Sequence, residues 1–130
     1  MEKSEKKVFI DRKKRRENVM FLLYQMDIRK DYNIYERDIE DFDDYQLKLI
    51  NLWNDNKEEV DSKISSNLKA WSLQTLGKIE LATIRLSVVE ILYMDEIPNT
   101  VSVNEAIELI KKYCDEKSYS FVNGVLKAFV

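Results

Sequence analysis

The chain holds two glycines, Gly77 and Gly124, and one proline, Pro98, among 130 residues. These are the residue types a helix interior tolerates least, by about 1 kcal/mol for glycine and 3 kcal/mol for proline relative to alanine. Long stretches free of both predict an all-α fold, and the apolar spacing agrees. Tyr45, Leu49, Leu52, Trp53, Asn56, Val60, Ile64 and Leu68 recur close to every 3.6 residues, as on one face of a long helix. Asn56 breaks that stripe, so an end near Asp55 and a restart is the alternative. A short helix is expected around Ile34 to Glu40 and a helical piece in "LKAWSLQTL", ended by Gly77 as a terminating glycine. Ile79, Ala82, Thr83, Leu86, Val89 and Tyr93 carry the next helix, and Pro98 closes the loop beyond it. Ser102 and Glu105 have capping-box spacing before Ala106 and Ile107. A last helix from Ser118 should bury Phe121, Val122, Val125, Leu126 and Phe129. Asn123-Gly124 is a strong hairpin dipeptide, but its flanks keep helical spacing. A glycine inside that helix suits a close helix crossing, or else a partner approaching the backbone.

With 45% hydrophobic and 35% charged residues, the chain fits one globular domain with a real core. No run of about 18 apolar residues could span a bilayer, and the N-terminus lacks the apolar segment of a signal peptide. A cytoplasmic location without membrane attachment is expected. Cys114 is the only cysteine and reads as a packed helical thiol, since free cysteine behaves as a small buried hydrophobe.

Charge is unevenly spread. Through Arg16, eight Lys or Arg stand against three Asp or Glu, a balance of +5. The whole chain is −3, so the remaining 114 residues carry −8. Five consecutive bases, Arg12, Lys13, Lys14, Arg15 and Arg16, close this basic head. Every residue from Val19 to Tyr24 is apolar, and Met26 and Ile28 continue the pattern, so the helix they join must be largely buried. Asp11 is the expected N-cap, with Arg12, Arg15, Arg16, Val19, Leu22, Leu23 and Met26 along one side. Cations in a first helical turn oppose the macrodipole at about 0.3–1 kcal/mol each. Guanidinium groups clustered on a rigid helix end suit phosphate, whose oxygens arginine matches bidentately. A solubilising tail is the bland alternative.

Histidine is absent, which removes Ser-His-Asp, Cys-His and histidine-metal chemistry. Two isolated glycines cannot build a phosphate-cradling loop. The acidic run "DIEDFDD" reads as a helix end and a solvated face. No enzyme, metal site or cofactor is expected.

Three segments, "RKKRRENVMFLLYQMD", "WSLQTLGKIELATIRLSVVEILYMDEIPNTVSVNEAIELIKKY" and "SYSFVNGVLKAF", resemble successive motifs of the NusB transcription antitermination family. The resemblance runs in order from Arg12 to the C-terminus. Its most diagnostic residues are Asn104, Glu105 and Ala106 followed by Glu108 and Leu109, then "FVNGVL", with Arg85 and Glu90 in the preceding helix. It implies about seven helices in two small packed bundles within one domain over 1–130: a flexible basic arm over 1–10, an N-terminal bundle over 11–70 and a C-terminal bundle over 71–130. It also implies boxA-type RNA as ligand, the small-subunit ribosomal protein NusE as partner, and the RNA polymerase elongation complex as destination, in support of ribosomal RNA transcription. RNA contacts would fall on Arg12 to Arg16 and on Gln74, Glu80, Tyr113 and Phe121. Unpaired bases stack on aromatic side chains, although Phe121 also suits core packing. A homodimer masking the RNA surface stays open. Lys117 stands where the family often has an acid and Ser102 where alanine is usual, and residues 32–69 match no motif.

Two readings compete: an RNA-binding adaptor of transcription elongation, and a helical protein-interaction module without specific RNA binding.

Overall fold

The structure is a computed structural model. It describes residues 2–130, with side chains from Arg12 onward. Six α-helices and one 3₁₀ turn follow one another: α1 (Glu2–Arg29), α2 (Glu36–Ile39), α3 (Asp44–Ser66), the turn Leu73–Thr75, α4 (Lys78–Tyr93), α5 (Asn99–Tyr113) and α6 (Glu116–Lys127). No strand occurs among the described residues, so the all-α expectation holds. The seventh helical piece shrinks to the 3₁₀ turn.

Helix α4 is the axle. Every residue from Leu81 to Glu90 is buried, because α1, α3, α5 and α6 all pack against it, while α1 also meets α3 and α5 meets α6. A helix apolar on all sides belongs at the centre of such an arrangement. Val19, Met20, Leu22, Leu23 and Met26 of α1, Leu49, Ile50 and Trp53 of α3, and Val122, Val125 and Leu126 of α6 join its core.

Two polar knots tie the outer helices to this axle. The Arg85 guanidinium grips Asp27 of α1 with Nη1 at 2.9 Å and Asp61 of α3 with Nη2 at 2.9 Å; the Tyr32 hydroxyl also donates to Asp27 at 2.6 Å. Further along α4, Glu90 accepts from Arg16 Nε of α1 at 2.8 Å, from Ser102 Oγ of α5 at 2.8 Å and from the Tyr45 hydroxyl of α3. Buried charges persist in this way only when paired and hydrogen-bonded.

Several local expectations change. Helix α3 is continuous across Asn56, but that residue leaves helical geometry at φ −125°, ψ 19°, so the kink and the long helix are both present. Gly77 does not terminate the piece before it: at φ −59°, ψ 145° it is the N-cap of α4. A Cβ there would lie 2.7 Å from Glu80 Oε1, so the missing side chain leaves room for Glu80 to fold back onto the Gly77 N–H at 3.0 Å. Ser102 is no cap. Pro98 caps α5, and Ser102, one turn inside, directs its hydroxyl to Glu90. Helix α6 starts at Glu116, capped by the Asp115 carboxylate accepting from Ser118 N at 3.0 Å. Gly124 lies inside α6 with nothing within 4 Å of where a Cβ would sit, which rules out the close crossing as its reason. Ile28, expected in the core, is 57% exposed. Helix α1 begins well before Asp11, so the basic run stands in mid-helix, out of reach of the macrodipole penalty expected for a first turn. Whether residues 1–10 form a flexible arm lies outside the described residues, apart from the helical path of 2–10.

Candidate nucleic-acid interface

The basic run divides in two. Arg12, Lys13 and Lys14 are exposed and Arg15 is half-buried, one face of α1 turned outward. Arg12 lies over the Tyr45 ring, 4.8 Å from its centroid, and Arg15 Nη1 meets Asp43 at 2.6 Å. Lys13 is loosely paired with Glu105 at 3.6 Å, a contact worth little on an exposed surface. Arg16 departs from the expected phosphate cluster. It is 4% exposed, and its guanidinium is held by Glu90 and lies beside the Tyr45 ring. Burial works against its charge, yet the Glu90 carboxylate overrides this and raises its pKa. For Tyr45, burial and then Glu90 push the phenol above its ordinary range.

An open groove of about 550 Å³ runs between α1 and α5, with Lys13, Lys14, Lys111 and Lys112 on its walls and Glu17, Glu105 and Glu108 among them. Lys112 Nζ meets Glu17 at 2.8 Å. Lys111 and Lys112 escaped the sequence reading because two lysines in the last turn of a helix are explained by the macrodipole alone. Only the placement of α5 beside α1 brings them to the groove of Lys13 and Lys14.

Tyr113 follows directly, 39% exposed and edge-on to Phe21 with centroids 5.4 Å apart. Beyond it lies a second groove of about 310 Å³, lined by Trp71, Leu76, Glu80, Lys117 and Phe121 among others. Glu80 and Phe121 are thus brought together. Phe121 is half-buried, with one side on the core and an edge in the groove, where Trp71 meets it at 6.3 Å. Gln74 is exposed on the 3₁₀ turn but is not part of this groove wall. Cys114 is half-buried, and burial pushes its thiol pKa up, as a packed thiol requires; it is not helical, however, but stands at the C-cap of α5 in extended geometry at φ −132°, ψ 177°. Among the described residues no cluster of His, Cys, Asp and Glu is arranged to hold a metal ion, and no helix is long and apolar enough to cross a membrane.

Comparison with known families decides the relationship. The NusB family model matches residues 13–130. The chain belongs to the NusB family. A relative from Clostridium novyi (strain NT), named transcription antitermination protein NusB, is 45% identical over 127 residues, covering 90% of this chain and 96% of that protein. The solved NusB of T. maritima superposes with a TM-score of 0.81 at 31% identity over 91% of this chain and 89% of its own. A NusB chain solved with NusE in complex with double-stranded RNA gives a TM-score of 0.78 at 31% identity, covering 91% and 94%. The all-α fold that the resemblance implied is therefore the one found here, with six helices and a 3₁₀ turn.

Proposed function

We propose that this NusB-family protein is a transcription antitermination factor that binds boxA-type RNA as a single strand, together with NusE, and joins the RNA polymerase elongation complex, supporting ribosomal RNA transcription in the cytoplasm. The observation that carries this reading is the outward face of α1. Arg12, Lys13 and Lys14 are exposed on a helix whose other face is locked into the core, in a protein whose remainder is acidic. Such a face offers phosphate contacts without the entropic cost of ordering a tail. The relative solved with NusE and double-stranded RNA supports RNA as the class of ligand and NusE as the partner. Tyr113 and Phe121 support a strand with unpaired bases, which aromatic side chains stack.

The proposed surface draws on both halves of one domain: Arg12 to Arg15 from the N-terminal bundle over 11–70, and Glu80, Tyr113 and Phe121 from the C-terminal bundle over 71–130. The test is a titration of a boxA-like single strand and a scrambled strand of equal length, each with and without NusE. Tighter binding of the boxA-like strand supports the adaptor. Equal, weak binding of both strands with intact NusE binding would favour the protein-interaction module.

A further inference from the structure

Arg12, Arg15 and Arg16 are held in different ways. Arg15 Nη1 meets the Asp43 carboxylate at 2.6 Å and Arg16 Nε donates to Glu90 at 2.8 Å, so each shares its charge with a carboxylate that a phosphate would have to displace. Among the described residues, what holds Arg12 is a ring: its guanidinium lies over Tyr45, 4.8 Å from the centroid. A ring face attracts a cation without neutralising it, so Arg12 keeps both its charge and its fork of N–H donors for a phosphate. Glu96 lines a groove with Arg12, but its carboxylate is engaged by Lys48 at 2.7 Å.

The ring itself is fixed. Tyr45 is 9% exposed, and three contacts hold the start of α3 in place. Asp43 caps the helix by accepting from Gln46 N at 2.9 Å, Gln46 Nε2 donates to Arg15 O of α1 at 3.2 Å, and the Tyr45 hydroxyl donates to the buried Glu90 carboxylate. Arg16, one helical turn from Arg12, lies 5.6 Å from the centroid of the same ring. The ring thus stands between α1, α3 and α4 with one buried guanidinium and one exposed guanidinium against it. Tyr45 belongs to the stretch 32–69 that matches no motif of the family, so its part is visible only in the packing.

We infer that Tyr45 is a positioning residue for RNA recognition: its ring holds the Arg12 guanidinium, charged and with its donors free, where a phosphate of the bound strand arrives. This rests on the RNA-binding reading above and adds to it a residue of α3 that acts through Arg12. A long side chain that is ordered only on binding costs affinity, and holding it beforehand removes that cost. Removing the ring should therefore weaken RNA binding roughly 2- to 12-fold, the equivalent of about 0.5–1.5 kcal/mol.

The experiment measures the affinity of a boxA-like single strand, per folded molecule, for wild type, Tyr45→Phe, Tyr45→Leu, Arg12→Ala and the double variant of Arg12→Ala with Tyr45→Leu. Lys14→Ala, alone and with Tyr45→Leu, is the control pair, and urea unfolding gives the folded fraction of each protein. Tyr45→Phe gives up the bond to Glu90 but keeps the ring, so it should lose stability and hold its affinity near wild type. Tyr45→Leu should lose roughly 2- to 12-fold in the wild-type background and nothing further beside Arg12→Ala, whereas beside Lys14→Ala its loss should persist in full. A role confined to stability would produce no such pattern. In wild type, NMR should show the Arg12 side-chain protons shifted upfield by the ring, with and without RNA, and this measurement decides where Tyr45→Leu does not fold. The inference fails, and the RNA-binding reading stands, if Tyr45→Leu binds as wild type does, if Tyr45→Phe loses as much as Tyr45→Leu, if the losses of Arg12→Ala and Tyr45→Leu add, or if the ring shift is absent. Failure of wild type to bind the strand overturns both.

Discussion

Arg16 and Glu90, 74 positions apart, meet at 2.8 Å with side-chain exposures of 4% and 0%. Breaking a buried pair by removing one partner costs about 3–5 kcal/mol, because the other charge stays buried and alone. Glu90→Ala and Arg16→Ala are each expected to lose stability on that scale in urea unfolding. The double replacement Arg16→Met with Glu90→Leu should lose less than the sum of the single Arg16→Met and Glu90→Leu changes, which a double-mutant cycle reads directly. Additive losses would mean that the pair is not coupled. Ser102 and Tyr45 also donate to Glu90, so the carboxylate ties α1, α3 and α5 to α4 at once.

With Arg16 committed to the core, the phosphate contacts fall to Arg12, Lys13, Lys14 and Arg15. About three such contacts give a slope of roughly −2 in log K against log salt, at about −0.7 per contact on a single strand. Replacing Arg12, Lys13 and Lys14 together with Ala should remove most of that slope, leaving the part that Arg15 carries, and the midpoint of thermal unfolding should hardly move, since all three are exposed. A slope unchanged in the triple variant would place the RNA elsewhere.

The division of the basic run shows what a sequence can and cannot disclose. Helices were legible because apolar spacing and the scarcity of breakers are local properties. Even the kink was visible, as Asn56 in an apolar stripe. The burial of Arg16 was not legible. Five adjacent bases look alike, and what singles out one of them is a carboxylate 74 positions away. The same holds for Ser102 and Glu105, whose spacing imitates a cap although Pro98 starts the helix a turn earlier. It holds again for Gly77, which faces the fold-back of Glu80 rather than closing a helix. Trp71 carried no signal of its own, because exposure depends on what the other helices leave uncovered.

Gly124 offers a test of local packing. With open space where its Cβ would be, Gly124→Ala meets no clash and removes the entropic cost of a helical glycine. Stability should rise by about 0.5–1 kcal/mol, seen as a higher urea midpoint at unchanged slope. A loss of stability would mean that a neighbour does approach the backbone there. If stability rises while NusE or RNA binding weakens, the glycine serves a partner.

On the acid side, Asp38 is the group to watch. Its carboxylate accepts from Arg29 Nη2 at 3.0 Å and from Tyr35 N at 3.2 Å, and the bond from Arg29 foremost holds its pKa below the usual carboxylate value. A group whose folded pKa is depressed binds fewer protons in the folded state, so its contribution is complete above the unfolded value near 4 and is lost as pH falls through the lower folded value. Asp38→Asn should therefore cost stability at pH 7 and flatten the fall in stability below about pH 4. Parallel pH profiles for the two proteins would contradict the assignment.

The last expectation concerns how RNA and NusE act together. Outside the basic head the chain carries −8, and acidic groups such as Glu17, Glu105 and Glu108 line even the basic groove. RNA held by this protein alone must skirt those charges, which limits both footprint and affinity. A second protein beside the groove could extend the cationic track, so that one strand touches both proteins. Binding of either ligand would then strengthen the other by the same factor, since coupling free energy is reciprocal; tenfold corresponds to about 1.4 kcal/mol. The measurement is a closed cycle: RNA into the protein with and without saturating NusE, and NusE into the protein with and without saturating RNA. Equal ratios above one in both arms are expected. Ratios of one in both arms would mean independent sites, and the composite surface would have to be given up even if each ligand bound well by itself.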